Sequence, residues 1–230
     1  MTDPSRPWSE LVSQDDDALP ILKGWIAQAP FPVTLLAAPE GAGARTLEAL
    51  QVTTRSPLGA VAFHTGGLLV DGGWLRVLGA GCPALPRALD GWNTVGDGHR
   101  LERGLLVADD ALGGFFGWMD ATRTIHYRAP DDTGWEDLGV GYGDWLASVL
   151  TDRLQGFYAS LRWPGWEAEV AALHPEQGLH LFPPLFTRGP PVAERSRRAV
   201  PVEELWALAC QFEALDDLPD GATFKIEIGD

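Results

Sequence analysis

The chain has 230 residues, 45% hydrophobic and 21% charged, with only two cysteines, Cys82 and Cys210. A chain this long buries about 70% of its unfolded surface, and so few cysteines exclude a disulfide framework or a cysteine-rich metal centre. Seventeen Lys and Arg against 32 Asp and Glu leave a net charge of −15, which repels phosphate backbones and argues against nucleic acid as a partner.

Met1 to Asp17 is polar and acidic, without the basic and apolar regions of a secretory signal. No apolar run approaches the roughly 20 residues of a membrane span. The expectation is a cytoplasmic chain with two reduced thiols and no membrane contact. Asp15-Asp16-Asp17 precedes Leu19, Leu22, Trp25, Ile26 and Ala29 at helical spacing, and carboxylates at that end suit the helix dipole. Pro30 and Pro32 end this helix. Val33 to Ala37 reads as a strand, and a short helix follows from about Ala44.

Ala60 to His64, Gly67 to Asp71 and Trp74 to Gly79 are β-prone runs separated by Thr65-Gly66 and Gly72-Gly73, the pattern of a meander. Cys82 to His99 is rich in Pro and Gly and reads as a loop carrying Trp92. The stretch around which the chain is organised follows, from Leu105 to Tyr158. Leu105 to Ala108, Phe115 to Met119 and Thr124 to Tyr127 are short apolar runs between turns at Asp109–Gly114 and Asp120–Arg123. The period then changes to steps of three and four, through Tyr142, Trp145, Leu146, Val149, Leu150, Leu154, Phe157, Tyr158 and Leu161, one face of a helix. A short helix through Val170 and Leu173 comes next. Leu179 to Thr187, broken by Pro183-Pro184, is at best an edge strand. Gly189 to Arg198 is a loop with the dense basic cluster Arg195, Arg197 and Arg198. Pro201 with Glu203 and Glu204 opens a helix whose apolar face is Leu205, Leu208, Ala209 and Phe212, and Phe224 to Ile228 alternates like a terminal strand. The regions interleave without a linker. The expected fold class is α+β, a mainly antiparallel sheet of meanders covered by helices, in a single domain over 1–230.

No catalytic signature stands out. Val33 to Leu50 imitates a phosphate-binding loop, but Ala38 and Ala44 stand where the first glycine and the lysine are required, so a plain strand-to-helix connection is expected. Asp109-Asp110, Asp131-Asp132 and His126 offer oxygen and nitrogen ligands, yet each acidic pair sits in an expected turn, where Asp bonds its own backbone. His64 and His126 lie in apolar runs without metal-binding spacing, and His174 and His180 flank a turn. Ser56 is not in a nucleophile elbow. Ten tryptophans remain. Trp25, Trp145 and Trp206 read as core, whereas Trp92 and Trp135 lie in polar surroundings and either mark a recognition patch or cap the core.

Thr65-Gly66-Gly67, Gly72-Gly73-Trp74-Leu75-Arg76, Leu105-Leu106-Val107-Ala108-Asp109-Asp110, Gly113-Gly114-Phe115-Phe116, Trp135-Glu136-Asp137-Leu138 and Val200-Pro201-Val202-Glu203-Glu204-Leu205 carry a resemblance. They look like the uncharacterised bacterial domain-of-unknown-function family 2625, a likeness over most of the chain that implies no activity. More distantly, Leu105 to Leu161 resembles the SUKH superfamily of α+β domains, many associated with immunity against bacterial toxins. That likeness implies a SUKH-like fold and an immunity-type role.

Two functional expectations follow. One is a non-enzymatic binding domain that meets a basic protein partner through an acidic surface, although acidity also serves plain solubility. The other is an enzyme acting on a small or sugar-like ligand, with Asp109, Asp110, His126 or Glu136 beside Trp118 or Trp135. The candidate binding residues are Asp109, Asp110, Trp118, Trp135, Glu136 and Trp92. No catalytic set, cofactor or metal is expected.

Overall fold

The computed structural model describes residues 5–96 and 98–216. In chain order the elements are α1 (Trp8–Leu11), α2 (Leu19–Gln28), β1 (Val33–Ala37), α3 (Ala42–Leu50), α4 (Pro57–His64), β2 (Thr65–Val70), β3 (Leu75–Leu78), α5 (Leu89–Asn93), β4 (Thr94–Val95), β5 (Gly98–His99), β6 (Gly104–Asp110), β7 (Phe115–Met119), β8 (Ile125–Arg128), β9 (Glu136–Asp137), α6 (Tyr142–Val149), α7 (Arg153–Phe157), α8 (Trp166–Ala171), β10 (Gln177–Phe182), β11 (Ser196–Pro201) and α9 (Val202–Asp216). The expected strand at Phe224 to Ile228 and the side chain of Phe212 lie outside the described residues.

The main sheet has seven strands in the order β1-β2-β3-β6-β7-β8-β9, every neighbouring pair antiparallel. The fold is therefore α+β, as the glycine-punctuated runs lead one to expect. Sheet and helices share one large apolar cluster: Leu68, Val70, Leu75, Val77, Ala108, Phe116 and Tyr127 meet Leu22 of α2, Val61 and Ala62 of α4, and Tyr142, Trp145, Leu146 and Val149 of α6. A smaller cluster joins Leu106 and Phe115 to Val200, Val202, Leu205 and Trp206. In it Phe115 and Trp206 meet edge to face at 4.9 Å and 83°, the geometry their ring quadrupoles prefer.

Five expectations are corrected. Cys82 to His99 is not all loop, since it holds α5, which carries Trp92, and the paired strands β4 and β5. Ala60 to His64 is not a strand but most of α4. That helix packs against α2, α3, α6 and β2, and with Gly59, Ala60, Val61 and Ala62 all buried it has no polar face to show a period. Its start is written locally: the Ser56 hydroxyl accepts from the Gly59 N–H at 3.1 Å, and Pro57 takes the first turn. The stripe from Tyr142 to Leu161 is not one helix. Thr151 breaks it by donating to the Ser148 carbonyl at 2.7 Å and accepting from the Arg153 N–H at 3.4 Å, while Leu154 and Tyr158 still reach the core. Asp109 lies within strand β6 rather than in a turn, while Asp110 ends that strand and opens the turn as expected, its carbonyl accepting from the Gly113 N–H at 3.2 Å. Finally, Ser196 to Pro201 is not loop, because it pairs with Gln177 to Phe182 in a two-stranded ribbon.

Candidate functional site

Asp109 and Asp110 are adjacent in β6, so their side chains leave opposite faces of the sheet. Asp109 lies across from Arg76 of β3 and Phe115 of β7. Its Oδ1 is 3.1 Å from Arg76 Nε, an attraction of charges rather than an aligned hydrogen bond, since neither atom has a hydrogen-bond partner. Its Oδ2 accepts from Arg87 Nη2 at 2.7 Å. Arg87 Nη1 also donates to Glu176 Oε1 at 2.7 Å and to the Pro175 carbonyl at 3.0 Å. Arg76 donates to the carbonyls of Pro175, Gln177 and Asp110. Two guanidiniums thus hold the turn before β10 against the middle of the sheet. Burial pulls the Arg76 guanidinium below its ordinary pKa, and Asp109 pushes it back up.

Asp110 enters the main core. Its Oδ1 accepts from the Leu112 and Gly114 N–H groups, each at 2.9 Å, and its Oδ2 from the hydroxyls of Tyr127 at 2.7 Å and Tyr158 at 3.1 Å. Burial raises the Asp110 pKa against those hydrogen bonds, and burial beside Asp110 drives both phenols well above their ordinary range. The local part of this is the expected Asp turn chemistry, now placed in a sealed interior. Both carboxylates are engaged by protein groups and closed to solvent at 1% and 0% exposure.

The other candidates are dispersed. Trp92 is half-buried, with Arg100 stacked 3.8 Å and Arg87 5.4 Å from its ring. Trp135 is half-buried over the backbone of Gly117. The side chain of Trp118, next in the strand, points to the other face, where it lines a cleft with Leu89 and Leu105. Glu136 is exposed on the edge strand β9. The structure therefore does not gather Asp109, Asp110, Trp118, Trp135, Glu136 and Trp92 into one pocket.

Other singled-out groups have structural partners. His64 Nε2 is 2.8 Å from Asp17, and His126 faces Thr122, Thr124 and, at 3.6 Å, Asp137. Arg195 is buried and donates to the carbonyls of Pro183, Pro184, Thr187 and Pro190, stapling the loop before β11. Arg197 pairs with Glu169 at 2.8 Å, and only Arg198 of the three is an exposed cation, 3.5 Å from Glu204. Trp74 and Trp166 close on Arg162, which also pairs with Asp71 at 2.7 Å. Gly43, the last glycine of the phosphate-loop lookalike, lets α3 approach α4 so closely that a Cβ there would sit 1.9 Å from the Phe63 carbonyl oxygen. Among the described residues no group of three or more His, Cys, Asp or Glu is placed to hold a metal ion, and no helix is long and apolar enough to cross a membrane.

A concave site does exist at the edge of the sheet, where the sequence marked only core. Phe116 forms its floor, with Leu138, Val140, Trp145, Leu154 and Phe157 as walls, enclosing about 300 Å³. Asp144, Ser148 and Arg153 also line it. Phe157 is 43% exposed despite its place in the apolar stripe. The buried indole N–H of Trp145 has no acceptor. Only the break between α6 and α7 turns Phe157 outward, so the period alone could not reveal this pocket. Glu136, across from Tyr127 on the Phe116 face of the sheet, is exposed, whereas Asp137 turns to the other face toward His126.

Fold and pocket together define an α+β protein with a buried arginine–carboxylate clamp and an aromatic-lined edge. The chain belongs to the family described as protein of unknown function DUF2625, whose model matches residues 8–205. It is similar to the uncharacterised protein YbfG of Escherichia coli strain K12, 34% identical over 213 residues, which cover 90% of this chain and 97% of that protein. It is also similar to an uncharacterised protein of Haemophilus influenzae strain Rd, 33% identical over 204 residues, covering 84% of this chain and 89% of that one. No solved structure matches it.

Proposed function

We propose that this protein is a non-enzymatic binding domain that takes a basic protein partner on the edge formed by β9, α6 and α7. The observation that carries the reading is the pocket walled by Trp145 and Phe157: an apolar hollow of about 300 Å³ lined by Asp144 and Arg153, with the exposed Glu136 on the same face of the sheet as its floor. Protein interfaces concentrate their energy where an aromatic or aliphatic side chain fills such a hollow, with charges at the rim steering the approach. A partner with an apolar anchor and neighbouring Lys or Arg satisfies both features. The net charge of −15 speeds encounter with such a partner. The resemblance of Leu105 to Leu161 to the SUKH superfamily supports a toxin as that partner. Cys82 and Cys210 are not joined as a disulfide, consistent with a cytoplasmic place of action.

The test is capture from a lysate of the native host at low salt, comparing the wild type with Phe157→Ser and Asp144→Lys. One protein retained by the wild type should be lost with Phe157→Ser, weakened with Asp144→Lys, and released as salt rises. If nothing is retained at low salt, or all three baits retain the same set, the reading fails.

A further inference from the structure

A second hollow lies away from the α6–α7 edge, between α3, α5 and the ends of β6 and β7. It encloses about 410 Å³. Leu50, Val52, Leu58, Leu89, Leu105 and Trp118 make its interior apolar, and this is where the Trp118 ring finds its use. Charges of both signs line the same hollow. On the α5 side, Asp90 is held by the Thr46 hydroxyl, which donates to its Oδ1 at 2.9 Å. On the other side, Arg103 and Asp120 are brought together by their backbones, the Asp120 N–H donating to the Arg103 carbonyl at 3.0 Å. Yet among the described residues neither of those two side chains has an ion-pair or hydrogen-bond partner. The buried and half-buried arginines Arg76, Arg87, Arg162 and Arg197 are paired with carboxylates, whereas Arg103, like Arg45 and Arg153, is exposed without one among the described residues. An arginine and an aspartate left open beside each other over an apolar hollow are a complement in search of a ligand.

We infer that this hollow binds a small zwitterion with an apolar body, such as a free apolar amino acid or a short apolar peptide. The charge pattern selects that class. A simple anion would reach Arg103 against the field of Asp90, Asp120 and the −15 of the whole chain, and a simple cation would leave Arg103 facing it. A zwitterion brings no net charge, sets its ammonium against Asp90 and its carboxylate against Arg103 across the hollow, and buries its side chain beside Trp118. A volume in this range is that of an ordinary small-molecule site.

The experiment is calorimetric titration of the full chain with L-leucine and L-phenylalanine, and with N-acetyl-L-phenylalanine and L-phenylalaninamide, which each lack one of the two charges. A saturable isotherm is expected for at least one free amino acid, with both blocked derivatives weaker by at least about tenfold. Asp90→Asn, which keeps the Thr46 bond, and Arg103→Gln, at an exposed position, should each weaken binding by at least about tenfold. Ala49→Trp, which fills the hollow from an exposed site on α3, should abolish it while the far-ultraviolet circular dichroism stays unchanged. No saturable heat up to about 10 mM of either amino acid, or equal binding of the blocked derivatives, or binding undiminished in Asp90→Asn and Arg103→Gln, overturns the inference.

Discussion

Arg87 reaches forward 22 positions along the sequence to set its Nη2 2.7 Å from Asp109 Oδ2, with both side chains sealed from solvent at 3% and 2%. Arg76 completes the group from β3, and its donors and those of Arg87 converge on the Pro175 carbonyl. A charge in such a place is tolerated only because its neighbours neutralise it. Asp109→Ala leaves Arg76 buried without its counter-ion and Arg87 with Glu176 alone, and should cost about 3–5 kcal/mol in urea unfolding. Glu176→Gln, at a partner 36% exposed, should change stability by no more than about 1 kcal/mol. Comparable losses for the two variants would mean that the cluster is not the clamp described.

Asp110 is a different case, because what it satisfies is donors rather than cations. Asp110→Ala strands the N–H groups of Leu112 and Gly114 and the hydroxyls of Tyr127 and Tyr158, and should cost about 3 kcal/mol or more. Asp110→Asn keeps an acceptor for the two N–H groups and removes a buried charge. Its loss should be less than half as large, read from the midpoints of the same urea curves.

The acid response follows from shifted carboxyls, of which Glu169, Asp17 and Asp110 are at least partly buried. Arg197 is the main cause that holds Glu169 below the ordinary carboxylate range. Burial would raise Asp17, but the bonds from His64 and the Leu19 N–H outweigh it and leave it lowered. Groups lowered in the fold lend stability that is present above their unfolded pKa, about 4, and lost as pH falls through the folded value. Asp110 is raised, so its contribution has the opposite sign, present below its unfolded pKa and lost as pH rises through the folded one. Thermal midpoints should therefore drop below about pH 4, and Glu169→Gln should flatten that drop. The stability of Asp110→Asn measured against the wild type should therefore be more favourable at pH 7 than at pH 3. A Glu169→Gln profile parallel to that of the wild type would remove Arg197–Glu169 from this account.

Gly43 separates a packing role from a phosphate-binding one. With the Phe63 carbonyl 1.9 Å from where its Cβ would stand, Gly43→Ala forces α3 and α4 apart and should cost about 2 kcal/mol or more. Adding a nucleoside triphosphate with magnesium should leave the thermal midpoint of the wild type unchanged. A rise in that midpoint would revive the phosphate loop that the missing lysine argues against.

Much of the architecture was legible in local pattern. The runs at Val33, Gly67, Trp74, Leu105, Phe115 and Thr124 became β1, β2, β3, β6, β7 and β8, because strands half-covered by helices alternate with glycine-marked turns. Periodicity failed at α4, which is packed on every side, and there the Ser56-Pro57 cap was the better signal. The candidate site was much less legible. Asp109 and Asp110 drew notice as exposed turn acids, when their partners come from Arg76, Arg87, Tyr127 and Tyr158, and no spacing rule links such distant positions.

The sequence by itself determined the element types, the antiparallel α+β class, the acidity, and which residues are apolar enough to be buried, since propensity, periodicity and charge act over a few residues. Only the tertiary structure decided which charges are interior, how Thr151 turns Phe157 out of the apolar stripe, and how Arg103 and Asp120 come to stand open beside Trp118. These are outcomes of long-range closure, in which each contact depends on the chain returning from far away, and local chemistry holds no record of that return.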